Sequence, residues 1–91
     1  MSEPAGVIVE FFGMPRHRAG RAELIVPPGT VGQALAVVVK ACPGLAGLVQ
    51  ADGRLSGHYL LSVNGQRFAN DLNQPLGSAD RLLLLSADAG G

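Results

Sequence analysis

The last two residues of the sequence are the ones whose types could serve a reaction most directly. Gly90 and Gly91 have no side chains, so a chain ending in them can adopt backbone conformations closed to other residues. Such a tail can enter a narrow active site in extended form and present its terminal carboxylate there. We therefore expect that carboxylate to be a reactive group.

The single cysteine and the two histidines do not form the pattern of a catalytic or metal site. Cys42 lies near a predicted helix end on its apolar side, where a small buried residue is more common than a nucleophile. His17 and His58 are far apart in sequence, and neither has acidic or cysteine neighbours at metal-ligand spacing. The prediction is a core cysteine, no internal disulfide and no metal site.

Basic residues are concentrated in one short segment that contains Arg16, His17, Arg18 and Arg21. They could guide an anionic substrate or an acidic partner, but a solvated loop often has the same composition. The sequence has no nucleophile elbow, phosphate-binding glycine loop, zinc-hydrolase helix or carboxylate pair. We expect a chain that is not a self-sufficient catalyst and that supplies a group on which other proteins act.

The composition limits the class of protein. A chain of 91 residues, of which 47% are hydrophobic and 15% charged, is typical of one folded domain spanning residues 1–91. Seven basic and seven acidic residues cancel, which argues against nucleic acid as a partner. No apolar run reaches the roughly 20 residues that cross a bilayer, and no signal peptide is recognisable. A cytoplasmic protein that does not bind membranes is predicted.

Hydrophobic periodicity predicts five strands and one main helix. The strands are expected at residues 7–12, 22–26, 58–63, 66–69 and 81–86, the helix after Thr30, loops at 13–20, 45–57 and 70–80, and a tail at about 87–91 that is mobile in the free protein. Thr30 and Gln33 have capping-box spacing, and Pro43-Gly44 ends the helix. Its predicted apolar face comprises Val31, Ala34, Leu35, Val38, Ala41 and Cys42. Asn64-Gly65 predicts a hairpin turn, and Leu76 is the expected anchor of the last loop.

The four consecutive leucines at 82–85 put apolar side chains on both faces of the last strand. One helix can cover only one of these faces. If Leu82 and Leu84 face the helix, then Leu83 and Leu85 share the other face with Ile8, Phe12, Leu60 and Phe68. This face is either a partner-binding surface or covered by the loop at 45–57. In the first case the predicted contact residues are Phe12, Leu60, Phe68, Leu83 and Leu85.

Several short motifs together resemble the small sulfur-carrier proteins of ubiquitin-like β-grasp fold (the MoaD/ThiS family). The matching residues are Phe11-Phe12-Gly13, Arg16, Ala19-Gly20, Pro28-Gly29-Thr30-Val31, Val63-Asn64-Gly65, Leu76, Asp80 and Gly90-Gly91. The paired phenylalanines look most like the small subunit of molybdopterin synthase. The resemblance implies an α+β fold with a mixed four- to five-stranded sheet packed on one main helix.

In that family, the resemblance implies, an E1-like enzyme uses ATP to adenylate the terminal carboxylate, and sulfur then displaces AMP to give a thiocarboxylate. Gly91 would be the modified residue and Gly90 its spacer, with no permanently bound cofactor. The sulfur would pass to a substrate held by a larger synthase subunit or another accepting enzyme. Phe12, Phe68 and Leu85 would lie in the partner contact.

Two departures from the family pattern leave the pathway open. The segment 86–89 stands where the small subunit usually has a proline pair, and Ala79 replaces the usual glycine before Asp80. The favoured pathway is molybdopterin synthesis. The alternatives are thiamine, cysteine or tRNA thiolation, a ubiquitin-like modifier, or an interaction module with an inert tail.

Overall fold

The fold is a mixed β-sheet packed against one main helix. The computed structural model describes residues 6–69 and 71–87. Its elements are β1 (Val7–Phe11), α1 (Met14–Ala19), β2 (Glu23–Val26), β3 (Gly29–Thr30), α2 (Val31–Ala41), a 3₁₀ turn (Pro43–Leu45), β4 (Tyr59–Val63), β5 (Arg67–Phe68), β6 (Pro75–Leu76) and β7 (Arg81–Ser86). No helix in these ranges is long and apolar enough to span a membrane.

Strand β7 lies at the centre of the sheet. The strand order is β2-β1-β7-β4-β5, and β3 and β6 form a separate two-stranded ribbon. β1 runs parallel to β7, whereas β2 is antiparallel to β1 and β4 is antiparallel to β7. The last strand along the chain therefore joins two hairpins into one sheet.

The core lies between the sheet and α2, and the predicted alternation of the strands is confirmed. Val7, Val9 and Phe11 are buried on the inner face of β1, and Leu82 and Leu84 are buried beside them on β7. The same cluster contains Tyr59, Leu61 and Val63 of β4. Because side chains alternate along a strand, the neighbours of these residues face away from the helix.

Helix α2 begins at the predicted cap. The Thr30 hydroxyl accepts a hydrogen bond from the Gln33 amide at 3.1 Å, and the Gln33 side chain accepts one from the Thr30 amide at 2.8 Å. The predicted apolar face is buried except for Ala41, which is exposed at the last turn. Cys42 caps the helix and is buried in the core, as expected.

The segment 13–20 is a short helix, so the prediction of a loop there was wrong. Gly13 and Gly20 take left-handed φ values of 61° and 73° at the two ends of α1. Pro15 lies in the first turn, where its missing amide hydrogen is not needed, and it is buried. Glycine and proline therefore mark the boundaries of a helix here, although they are also typical of a loop.

The two other predicted loops contain short ordered elements. The chain after α2 forms the turn at Pro43–Leu45, and Val49 and Leu55 form an isolated bridge. Later, Leu76 pairs with Gly29 and is buried, which confirms its role as an anchor.

The turn before β7 contains a strained alanine. Ala79 has a φ of 74°, a left-handed conformation that costs a non-glycine residue about 1–2 kcal/mol. The turn holds it there because its amide donates to the Gly6 carbonyl at 2.9 Å and the Gly77 amide donates to the Asp80 carboxylate at 2.8 Å. The alanine that departs from the family pattern thus occupies a position suited to glycine.

Replacing Ala79 by Gly should stabilise the protein by about 1 kcal/mol, since glycine adopts this φ without strain although it also adds freedom to the unfolded chain. Urea unfolding followed by circular dichroism measures the change. Ala36→Gly is the matched control, because Ala36 is exposed within α2 and glycine there should destabilise by about 1 kcal/mol. Equal losses for both variants would contradict the assignment of strain to Ala79.

Candidate functional site

The face of the sheet opposite α2 presents a group of apolar side chains to solvent. We call it the outer patch, and it consists of Phe12, Leu60, Phe68, Leu83 and Leu85. Phe68 is 68% exposed, Phe12 41% and Leu60 39%, while Leu83 and Leu85 are half-buried. These are the five residues predicted to contact a partner, and the structure brings them together on one face.

Strand register makes the patch contiguous. Leu60 is paired with Leu85, and Ser62 lies between Leu83 and Phe68 on the two neighbouring strands. The Phe12 amide donates to the Leu84 carbonyl at 3.0 Å, so Phe12 lies next to Leu85 along the continuing strand. Ser62 is almost fully buried because its small side chain lies between larger apolar neighbours.

The loop after α2 does not cover this face. Leu45 and Leu48, two of its three leucines, are fully buried in the same cluster as the inner residues of β1 and β7, and Leu55 packs against that cluster. The loop therefore completes the core on the helix side. The alternative in which it covers the outer patch is excluded, and the patch is an exposed apolar surface of the described chain.

A groove lies at the end of the patch where β7 finishes. It has a volume of about 570 Å³ and is lined by Phe12, Gly13, Met14, Arg18, His58, Tyr59, Leu85 and Ser86. Directly after β7, the Ala87 amide donates to the His58 carbonyl at 2.9 Å. The chain therefore leaves the sheet at this groove. Asp88, Gly90 and Gly91 lie outside the described residues.

A salt bridge borders the patch on the side away from the groove. Arg81 Nη1 is 3.0 Å from Glu10 Oε2, with the two side chains 49% and 26% exposed. A pair so accessible contributes little stability, but it separates the patch from a second apolar pair, Ile8 and Ile25. Ile25 is 53% exposed and was missed in the sequence analysis, although alternation from the buried Val26 would have placed it outward.

The remaining sequence candidates lie apart from one another. Cys42 is in the core. His58 lines the groove, whereas His17 lines a separate shallow depression with Arg16 and Arg21. Within residues 6–69 and 71–87, no group of three potential metal ligands comes together.

The groove itself was not predicted. One wall is built by α1, whose sequence predicts a loop, so the positions of Met14 and Arg18 could not be predicted. A buried proline between two glycines was the available signal, but its burial becomes evident only in the folded chain.

Comparison with known proteins adds the family. No family model matches the sequence, and no curated protein matches it. Among solved structures, a crystal structure of small archaeal modifier protein 1 from Haloferax volcanii is 30% identical over 89% of this chain and 95% of its own length, with a TM-score of 0.74. A second crystal structure from that organism, of SAMP1, is 29% identical over 94% of this chain and 99% of its own, with a TM-score of 0.80.

The chain belongs to the ubiquitin-like β-grasp sulfur-carrier family. Its α+β sheet and helix are those of the family fold, as the sequence resemblance implied.

More distant structures of this fold include complexes with other proteins. Subunit 1 of the molybdopterin-converting factor from Helicobacter pylori, solved with subunit 2, is 22% identical over 93% of this chain and 97% of its own, with a TM-score of 0.65. CysO from Amycolatopsis orientalis, solved with BexX, is 21% identical over 93% of this chain and 99% of its own, with a TM-score of 0.77. At these identities the likeness shows the fold alone.

The two faces of β7 and its neighbours should differ sharply in their effect on stability. Phe68→Ser on the outer patch should change the free energy of unfolding by less than about 1 kcal/mol, because the ring is mostly in solvent. Leu84→Ala on the inner face should cost about 3 kcal/mol through the cavity it leaves. Urea unfolding measures both changes, and a large loss for Phe68→Ser would mean that the patch is structural.

Proposed function

We propose that this chain is a sulfur carrier whose Gly91 carboxylate is adenylated by an E1-like partner and converted to a thiocarboxylate. The observation that supports this most directly is the continuity of the outer patch with the groove at Ser86, where the chain leaves the sheet. A partner that binds the patch would receive, in its active site, the segment that follows Ser86 and includes Gly91.

The chemistry requires a partner because a carboxylate is a poor electrophile. In the proposed reaction the Gly91 carboxylate attacks the α-phosphorus of ATP and releases pyrophosphate. The resulting acyl adenylate has AMP as a good leaving group. Hydrosulfide then attacks the acyl carbon and displaces AMP, which gives the thiocarboxylate directly. Where the donor is instead an enzyme persulfide, the acyl disulfide formed first is cleaved by a second thiol, which is oxidised to a disulfide as the thiocarboxylate is released. The carrier itself contributes the carboxylate and the surface that positions it.

The length of the segment after Ala87 suits a reaction that takes place in the active site of a partner. Four residues follow Ala87, and an extended segment of that length spans at most about 14 Å. A partner held on the outer patch can therefore have its reaction centre well separated from the folded domain. Gly90 and Gly91 offer the least steric hindrance to a narrow channel.

We favour molybdopterin synthesis in the cytoplasm as the pathway, with the larger synthase subunit as the acceptor of the thiocarboxylate. The support is the paired Phe11-Phe12 of the first strand, which resembles the small subunit of molybdopterin synthase. Phe12 is exposed in the outer patch, and Phe11 is in the core. Thiamine, cysteine and tRNA thiolation use the same activation chemistry and are the alternatives for the acceptor.

A second candidate function is a ubiquitin-like modifier, in which a lysine amine of a target displaces AMP and forms an amide with Gly91. It is favoured by the 30% identity to a protein described as a small archaeal modifier. The two functions share the adenylate and differ in the nucleophile.

Intact mass spectrometry tests the carrier chemistry. After incubation with ATP, a sulfur donor and the adenylating enzyme of the source organism, the full chain should gain the mass difference between sulfur and oxygen. A chain lacking Gly91 should gain nothing while keeping the circular dichroism spectrum of the intact protein. Conversion of the truncated chain would contradict the assignment of Gly91, and amide-linked conjugates without thiocarboxylate would favour the modifier.

The partner surface is tested separately by placing a charge in the outer patch. Phe68→Asp should weaken association with the adenylating enzyme by at least about tenfold, because a buried unpaired carboxylate at an interface is costly. Ile25→Asp is the control, since Ile25 is also more than half exposed on the same sheet (53%, against 68% for Phe68) but lies beyond the Glu10–Arg81 pair. Equal effects of both substitutions would locate the interface elsewhere. Association of a chain without Gly90-Gly91, combined with no conversion of the intact chain, would instead support the interaction module with an inert tail.

A further inference from the structure

The basic residues of α1 and of the turn after it form a ridge that makes no ion pair with another described residue. Arg16, His17, Arg18 and Arg21 are all exposed, and we call them the basic ridge. The ion pair found among the described side chains is Arg81–Glu10, which joins β7 to β1. Arg21 donates through Nε to the Glu23 carbonyl at 2.9 Å, which holds its guanidinium at the start of β2.

Three of the five acidic side chains in the described residues are engaged in their own turns, while Glu10 pairs with Arg81 and Glu23 is exposed on β2, two residues after Arg21. Asp52 accepts from the Arg54 amide, Asp71 from the Asn73 amide, and Asp80 from the Gly77 amide. The chain has a net charge of zero, so the excess of positive charge at α1 is a matter of distribution.

The stability of the fold does not require so many like charges together. One basic residue in the last turn would satisfy the carbonyl end of a short helix, whereas Arg16, His17 and Arg18 are consecutive there. The clustering of these basic residues is therefore better explained by binding to the surface of another protein.

The ridge borders the candidate site. Arg18 lines the groove together with Phe12 and Leu85 of the outer patch, and Arg16 and Arg21 line the shallow depression on the other side of Gly13. An apolar centre with a charged rim is the usual composition of a protein interface. The ridge is thus continuous with the surface proposed to bind a partner.

We propose that the basic ridge docks against an acidic surface of the adenylating partner, beside the entrance that receives the tail. This inference rests on the proposed function and adds the charge of the partner surface. A carrier is released and bound again in each cycle, so its association rate matters. Complementary charges raise association rates and orient the encounter. The partner should therefore carry a cluster of Asp and Glu at the mouth of its active site.

The experiment compares two double charge reversals of the full chain, R18E/R21E and K40E/R54E. Each lowers the net charge from the wild-type value of zero by the same amount. Lys40 and Arg54 are exposed and line neither the groove nor the depression. Stopped-flow measurement of association with the adenylating enzyme should show a rate at least about tenfold lower for R18E/R21E at low ionic strength. K40E/R54E should stay within about threefold of wild type, because its charges lie outside the docking surface.

Salt and folding controls complete the design. The difference between wild type and R18E/R21E should shrink as salt is raised, since the effect is electrostatic. R18Q/R21Q should show an intermediate rate, and circular dichroism should show that all variants are folded. Equal slowing by both double reversals, or a wild-type rate with R18E/R21E, would contradict docking through the basic ridge but would leave the proposed function standing. Failure of the wild-type chain to associate with the adenylating enzyme would overturn the proposed function as well.

Discussion

The structure depends on the pairing of β7 along both of its edges. This strand is parallel to β1 on one side and antiparallel to β4 on the other, so its backbone hydrogen bonds hold the two halves of the sheet together. Leucine at both inward and outward positions makes it apolar on each face. Since α2 covers only the inward residues, a strand that completes the core also creates an exposed apolar surface.

Two hydrogen bonds between Asn64 and Arg81 fix the start of β7. The Arg81 amide donates to the Asn64 side chain at 2.8 Å, and the Asn64 amide donates to the Arg81 carbonyl at 2.7 Å. Asn64 and Gly65 take positive φ values of 56° and 70°, as expected for a type I′ hairpin turn. This contact sets the register of the strand, because a slip of one residue would exchange the buried and exposed leucines.

Local patterns in the sequence were sufficient for the five strands of the main sheet and for α2, but not for the short β3–β6 ribbon. Strand alternation identified which side chains of β1, β4 and β7 face the core, and Thr30 with Gln33 gave the helix start. These features depend on residues close together in the chain. The helix α1 was missed because Gly13, Pro15 and Gly20 are compatible with either a loop or a short helix. The choice is made by the burial of Pro15 and by contact of α1 with the turn after α2, where the Arg18 carbonyl lies against Gly44.

The difference between local sequence patterns and the packing of distant segments also explains how much of the candidate site could be predicted. The five outer-patch residues follow from strand parity, because their strands are neighbours in the sheet. The groove and the basic ridge require α1 to be placed beside the end of β7, which no local pattern determines. Phe12 links the two parts, since it extends the outer face of β1 and also lines the groove. A partner that binds the apolar face is thereby brought to the point where the chain leaves the sheet, with basic side chains along one side of that point.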